Sequence, residues 1–173
     1  MTRPRLAAGI IVIIVLAAAA AAFFIYQNRY VPSKTQGTMQ AEGDVISVYL
    51  PTPEGKLQRK TVEVHRQPSD RARAETLFRE LKEAKCIPDR LKLHEMALGS
   101  DGVLYLNLSA EFIDRNTPER EILMTYSVVN SFVESFHNAK KVQILVEGQP
   151  VYTGSGVLYI FSPLEFNKDV LED

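Results

Sequence analysis

The stretch NAKKVQILVEGQP occupies residues 138–150. After two lysines, Val142, Ile144 and Val146 alternate with Gln143 and Leu145, the period-two pattern of a half-buried strand. Glu147-Gly148 then closes the run in a tight turn. Immediately upstream the apolar period is helical. Thr117 suits an N-cap and Pro118 the first helical position, and the segment runs to about His137, where Asn138 can close it. A long helix delivering the chain into a core strand is the step from which the neighbouring elements are placed.

Before that helix, LKLHEMALGSDGVLYLNLS (91–109) reads as two strands around a Ser100-Asp101-Gly102 turn, with Val103, Tyr105 and Asn107 alternating with Leu104, Leu106 and Leu108. Further upstream, Ser69 suits an N-cap, and Ala74, Leu77, Phe78 and Leu81 form the apolar stripe of a helix that Pro88 stops. Val45–Leu50 and KTVEVHR (60–66) are strands on either side of a Pro- and Gly-rich turn. Downstream, VYTGSGVLYIFSPL (151–164) supplies a last turn and a short strand. The order β-β-α-β-β-α-β-β predicts an α+β domain, a small mostly antiparallel sheet with two helices packed on one face. No repeat of 20–50 residues is visible.

Composition narrows the class. The chain has 173 residues, 46% apolar and 24% charged, which fits a globular body with appendages. Its formal net charge is -1; beyond residue 26 eighteen basic residues face twenty-one acidic ones, or -3. A mildly acidic body is a poor match for nucleic acid or for anionic lipid headgroups as the main partner. One cysteine, Cys86, excludes an internal disulfide and a cysteine-based metal cage.

The first residues carry a separate signal. From Leu6 to Ile25 every residue is apolar or Gly, preceded by Arg3 and Arg5 and followed by Tyr26. Twenty such residues at about 1.5 Å each span roughly 30 Å, a bilayer core. The charge bias keeps the N-terminus in the cytoplasm and places the body outside. Residues 1–26 are therefore expected to be an N-terminal transmembrane anchor in the bacterial inner membrane. A cleaved signal peptide is the competing reading, favoured by the alanine run, and would make the body a secreted protein. No Cys lies near the end of the run, so a lipid-anchored form is not expected. Residues 27–43 read as a polar linker and 44–173 as the domain.

The opening strand VISVYL, the strand and loop DGVLYLNLSAEF and the post-helical KKVQILVEGQPV together resemble the GerM domain, the sporulation and spore germination domain. The likeness covers about residues 44–165. Two features depart from the family: LKEAKCIPDR stands where members often carry Leu-Leu followed by Gly-Pro, and the chain has a transmembrane-type anchor where many sporulation members are lipoproteins. The resemblance implies an extracytoplasmic α+β module similar to the ring-building modules of secretion and sporulation channels, and it brings no catalytic residue.

The residues themselves offer little chemistry. His65, His94 and His137 lack metal-ligand spacing, and Cys86 follows a helix end whose dipole would raise its pKa. Gly154-Ser155-Gly156 is a turn signal without a following helix to bind phosphate. Asp101 with Asp114, or Glu111 with Glu119, read as solvated carboxylates. No cofactor, metal or catalytic residue is expected.

One segment stands apart. Residues 122–133, ILMTYSVVNSFV, contain no charge. Ile122, Tyr126, Val129, Val133 and Phe136 form a stripe suited to the sheet. The opposite face carries Met124, Ser127, Ser131 and Ser135, with Val128 at its margin. That neutral ridge is expected to contact a neighbouring protomer or an envelope protein. The functional expectation is a non-enzymatic module working through protein–protein contacts, hetero-typic or by self-association. The alternative is a ligand-binding module for peptidoglycan or a peptide, using loops near Asn116 or Gly154.

Overall fold

The computed structural model describes residues 44–64, 69–113 and 117–172. The expected anchor and linker, together with His65, Asp114 and Asn116, lie outside these residues. Among the described residues no helix is long and apolar enough to cross a membrane.

Strands β1 (Asp44–Pro51) and β2 (Leu57–Val64) form an antiparallel hairpin of their own. Helix α1 (Asp70–Glu83) begins at Ser69, whose hydroxyl accepts from Ala72 N at 3.2 Å, with Asp70 in the first turn. Strands β3 (Leu93–Leu98) and β4 (Val103–Leu108) form the expected hairpin around Gly102, which has φ +85. Helix α2 (Pro118–Ser135) starts at Thr117, whose Oγ1 accepts from Arg120 N at 3.3 Å. It delivers the chain to β5 (Lys141–Val146), which pairs parallel to β4. Glu147 (φ +48) and Gly148 (φ +77) then turn the chain through two consecutive left-handed residues, the geometry of a two-residue hairpin. The short strands β6 (Gln149–Pro150) and β7 (Leu164–Glu165) complete the sheet on β5.

The α+β class and the order of the elements agree with the sequence reading; the layering does not. There are two sheets, a two-stranded hairpin and a five-stranded mixed sheet, where one mostly antiparallel sheet was expected. Helix α2 packs against β1 of the first and against β5 and β7 of the second. With strands on both sides it has no fully wet face, which is why its middle carries no charge. Phe112, Phe132, Leu104, Leu106, Val128, Val142 and Ile144 lie at the centre of the core, which also takes in Ile46, Val48, Leu77 and Leu81. Gln143 was expected on a wet face of β5 but is buried; its Nε2 donates to Ile160 O at 3.3 Å and Ile144 O at 3.0 Å.

Candidate contact surfaces

The ridge expected to meet a partner lies inside the domain. Met124, Ser127, Val128, Ser131 and Ser135 are all buried. Conversely, Ile122, Tyr126 and Val133 of the stripe assigned to the core are only half-buried. The correction has a clear physical cause. Strand β1 is an edge strand, and α2 lies along the edge that β2 leaves open. Ser131 Oγ accepts from Tyr49 N at 2.9 Å, and Ser135 Oγ accepts from Ser47 N at 3.1 Å while donating to Ser47 O at 3.2 Å. The hydroxyls thus replace a missing strand and satisfy buried backbone groups. One step further along the same register Ser127 falls opposite Pro51, which has no N–H to give. Ser127 Oγ makes no hydrogen bond of normal geometry among the described residues.

Other polar groups on α2 are also committed inside the fold. Asn130 Nδ2 donates to Asn167 O and Asn130 Oδ1 accepts from Asn167 N, both at 2.9 Å, pinning the C-terminal tail. Glu121, fully buried, accepts from Gly154 N at 2.9 Å and Val157 N at 3.0 Å. Glu134 pairs with Arg59 at 2.8 Å, and Arg59 also donates to Ser47 Oγ, tying β2 to β1 and α2. Burial, with Glu134 adding to it, raises the Tyr49 phenol above its usual pKa.

The remaining candidates are placed as follows. Cys86 is buried beneath the end of α1, and burial pushes its pKa to about 11, with a hydrogen bond from Ser127 acting the other way. Such a thiol is a poor nucleophile at neutral pH. His94 and His137 are exposed, and His94 Nε2 stands 3.5 Å from Glu147 Oε1. Asp101 Oδ1 caps its own turn by accepting from Val103 N at 3.1 Å. Glu111 is held below its usual pKa, chiefly by its hydrogen bond from Ser109. Among the described residues no group of three His, Cys, Asp or Glu side chains is placed to hold a metal. An open cleft of about 430 Å³ lies between α1 and β3 and is lined in part by Arg71, Phe78, Lys82 and Leu93. Arg71 is already engaged there with Glu75 and with the carbonyls of Leu93 and His94.

Among the described residues two surfaces stand out as uncommitted. The first is the outer edge of β3, which pairs only with β4 among the described residues. Gly99 N donates to Val103 O at 2.8 Å. By the antiparallel alternation, Met96 and Leu98 then turn their N–H and C=O groups away from β4. The second is the loop after β6, where Tyr152, Tyr159 and Phe161 are 67%, 55% and 38% exposed. The sequence reading had made a turn and short strand of this region, missing both the aromatic cluster and its anchor Glu121. The cluster could have been noticed in VLYIF as alternate aromatics in a segment with no charge.

A helix enclosed between an edge hairpin and a mixed sheet defines a small α+β domain. Residues 47–152 match the family described as Germane, sporulation and spore germination, and the chain belongs to that family. Solved structures share the fold. The first GerMN domain of the sporulation protein GerM from Bacillus subtilis is 17% identical with a TM-score of 0.55, over 70% of this chain and 96% of that one. A candidate lipoprotein from Clostridium perfringens is 21% identical with a TM-score of 0.51, over 72% and 87%. Among curated proteins, none matches the chain.

Proposed function

We propose that this protein is a non-enzymatic module of the bacterial cell envelope. In this reading Leu6–Ile25 tethers it to the inner membrane, residues 27–43 are the linker, and the domain from residue 44 stands outside the cytoplasm. It acts by contact with another envelope protein or with copies of itself. The observation that carries the reading is the open edge of β3. The free edge of β1 is covered by serines, and the start of β2 is held by the tail through Leu57 N to Val170 O at 2.7 Å. Residues 58–61 of β2 are all exposed and include Arg59 and Lys60, which blunt that edge. Strand β3 instead offers the outward groups of Met96 and Leu98, the latter 41% exposed, to an added strand.

Leu98→Pro tests this by removing one outward N–H. Sedimentation of the full chain in mild detergent, over a wide concentration range, is expected to show an association that the variant lacks while its far-UV circular dichroism stays unchanged. A monomer at every concentration, with no cross-link formed from a photoreactive residue at position 96 in cells, would overturn the reading.

A further inference from the structure

Residues 148–164 contain no charged side chain, although charged residues make up 24% of the chain. Within them Tyr152, Val157, Tyr159 and Phe161 are exposed. The three rings form one cluster: Tyr152 stacks on Phe161 at 4.7 Å and 13°, and Tyr159 lies 6.4 and 6.3 Å from the other two. Exposed apolar clusters of this kind mark contact surfaces.

The loop is built to hold the rings outward. The buried Glu121 carboxylate takes the N–H groups of Gly154 and Val157, Ile160 N donates to Tyr152 O at 2.9 Å, and Gln143 holds Ile160 O. Ile160 is buried between exposed Tyr159 and Phe161, so the backbone is fastened and the aromatic side chains are displayed. A buried carboxylate serving two backbone donors is a costly way to shape a loop that had no contact to make.

We propose that the loop spanning residues 151–161 is a membrane-contact element whose aromatic knob rests in the headgroup region of the bilayer. The inference rests on the tethered reading given above. Tyrosine joins an apolar ring to a polar tip and belongs at that boundary, and an uncharged loop has no ions to desolvate on entering it. A sugar chain fits less well, because Tyr152 and Phe161 each give one ring face to the other.

Chain length allows the contact. Asp44, where β1 begins, is tied through Arg73 to the carbonyl of Ser135, at the end of α2 remote from Glu121. Glu121 and Ser135 are fourteen residues apart, about 21 Å along the helix. The seventeen residues 27–43 have a contour length of roughly 55 Å, more than twice that distance.

The chain has no tryptophan, so Tyr152→Trp introduces a single reporter at an exposed position. The full-length variant is placed in phosphatidylcholine vesicles containing lipids brominated near the top of the acyl chain. Its emission is expected to fall at least by half, and to do so equally in about 0.5 M salt, because the contact is uncharged. Adding Tyr159→Ser and Phe161→Ser is expected to restore most of the emission while the protein still floats with the vesicles and keeps its circular dichroism. A floating protein whose tryptophan ignores the brominated lipid and is freely quenched by aqueous iodide would overturn the loop contact and leave the tether standing. Quenching that survives the double serine change would overturn the aromatic knob. A chain that does not float would overturn both the tether and the contact.

Discussion

Ser131 and Ser127 are the same residue type, one helical turn apart, on the same fully buried face of α2. Their hydroxyls have different work. Ser131 Oγ is the acceptor for Tyr49 N–H at 2.9 Å, and Tyr49 is itself buried. Ser131→Ala strands that donor away from water, which costs about 1–3 kcal/mol. Ser127 Oγ serves no backbone donor and has only the Cys86 thiol beside it, so Ser127→Ala is expected to cost less than about 1 kcal/mol. Both changes delete one atom, so packing loss largely cancels in the comparison. Urea unfolding of the full chain in mild detergent, followed at the far-UV helix signal, measures the difference. Thermal midpoints should separate by about 4 °C per kcal/mol for a domain of this size. Amide exchange supplies the local readout: Tyr49 N–H should lose protection in Ser131→Ala and keep it in Ser127→Ala. If Ser127→Ala is as costly as Ser131→Ala, the account of the ridge as an edge seal is wrong. Ser131→Glu, which would test an exposed ridge, is expected instead to unfold the domain by burying an unpaired charge.

Cys86 gives a pH test. Its folded pKa is raised from 9.0 to about 11, so the protonated thiol favours the folded state below pH 9, and that contribution of up to about 2–3 kcal/mol is lost as pH rises towards 11. The wild-type urea midpoint should therefore fall between pH 8 and 11 by more than that of Cys86→Ala. Gly102 and Gly148 both have positive φ, but a Cβ on Gly102 would meet Asn138 O at 3.2 Å whereas one on Gly148 meets nothing within 4 Å. Thermal melts should show Gly148→Ala costing about 1 kcal/mol and Gly102→Ala clearly more. Glu121→Gln leaves one carbonyl oxygen where two carboxylate oxygens serve Gly154 and Val157, and should cost about 1–3 kcal/mol. Hydrogen exchange across residues 152–161 should quicken in that variant while β4 and β5 stay protected.

Local signals in the chain translate faithfully into local structure. Ser69, Thr117-Pro118, Gly102 and Glu147-Gly148 cap or turn the elements they were expected to punctuate, because each works through its own backbone neighbours. What could not be read was decided by partners far along the chain. Ser135 meets Ser47 across 88 residues and Glu121 meets Gly154 across 33. A serine row has the same appearance whether it faces water, a partner or an edge strand, since a hydroxyl is satisfied by any of them. Glu121 likewise resembles an ordinary first-turn carboxylate until the loop that donates to it is in place. The division into two sheets was hidden for a related reason: both contain hairpins of similar pattern, and only the burial of α2 on both sides separates them.

The serine seal also sets its own length. Four residues of helix advance about 6.0 Å, while two residues of strand advance about 6.7 Å. The two scales behave as a vernier whose marks coincide at Ser135 with Ser47 and at Ser131 with Tyr49, then drift apart. By the third mark the accumulated offset is about 1.4 Å, which lengthens a 2.9 Å contact to about 3.2 Å, the long end of the normal range. The residue at that mark is Pro51, the last of β1 and the one with no amide proton to strand. The strand thus ends on the residue that asks nothing of its helix.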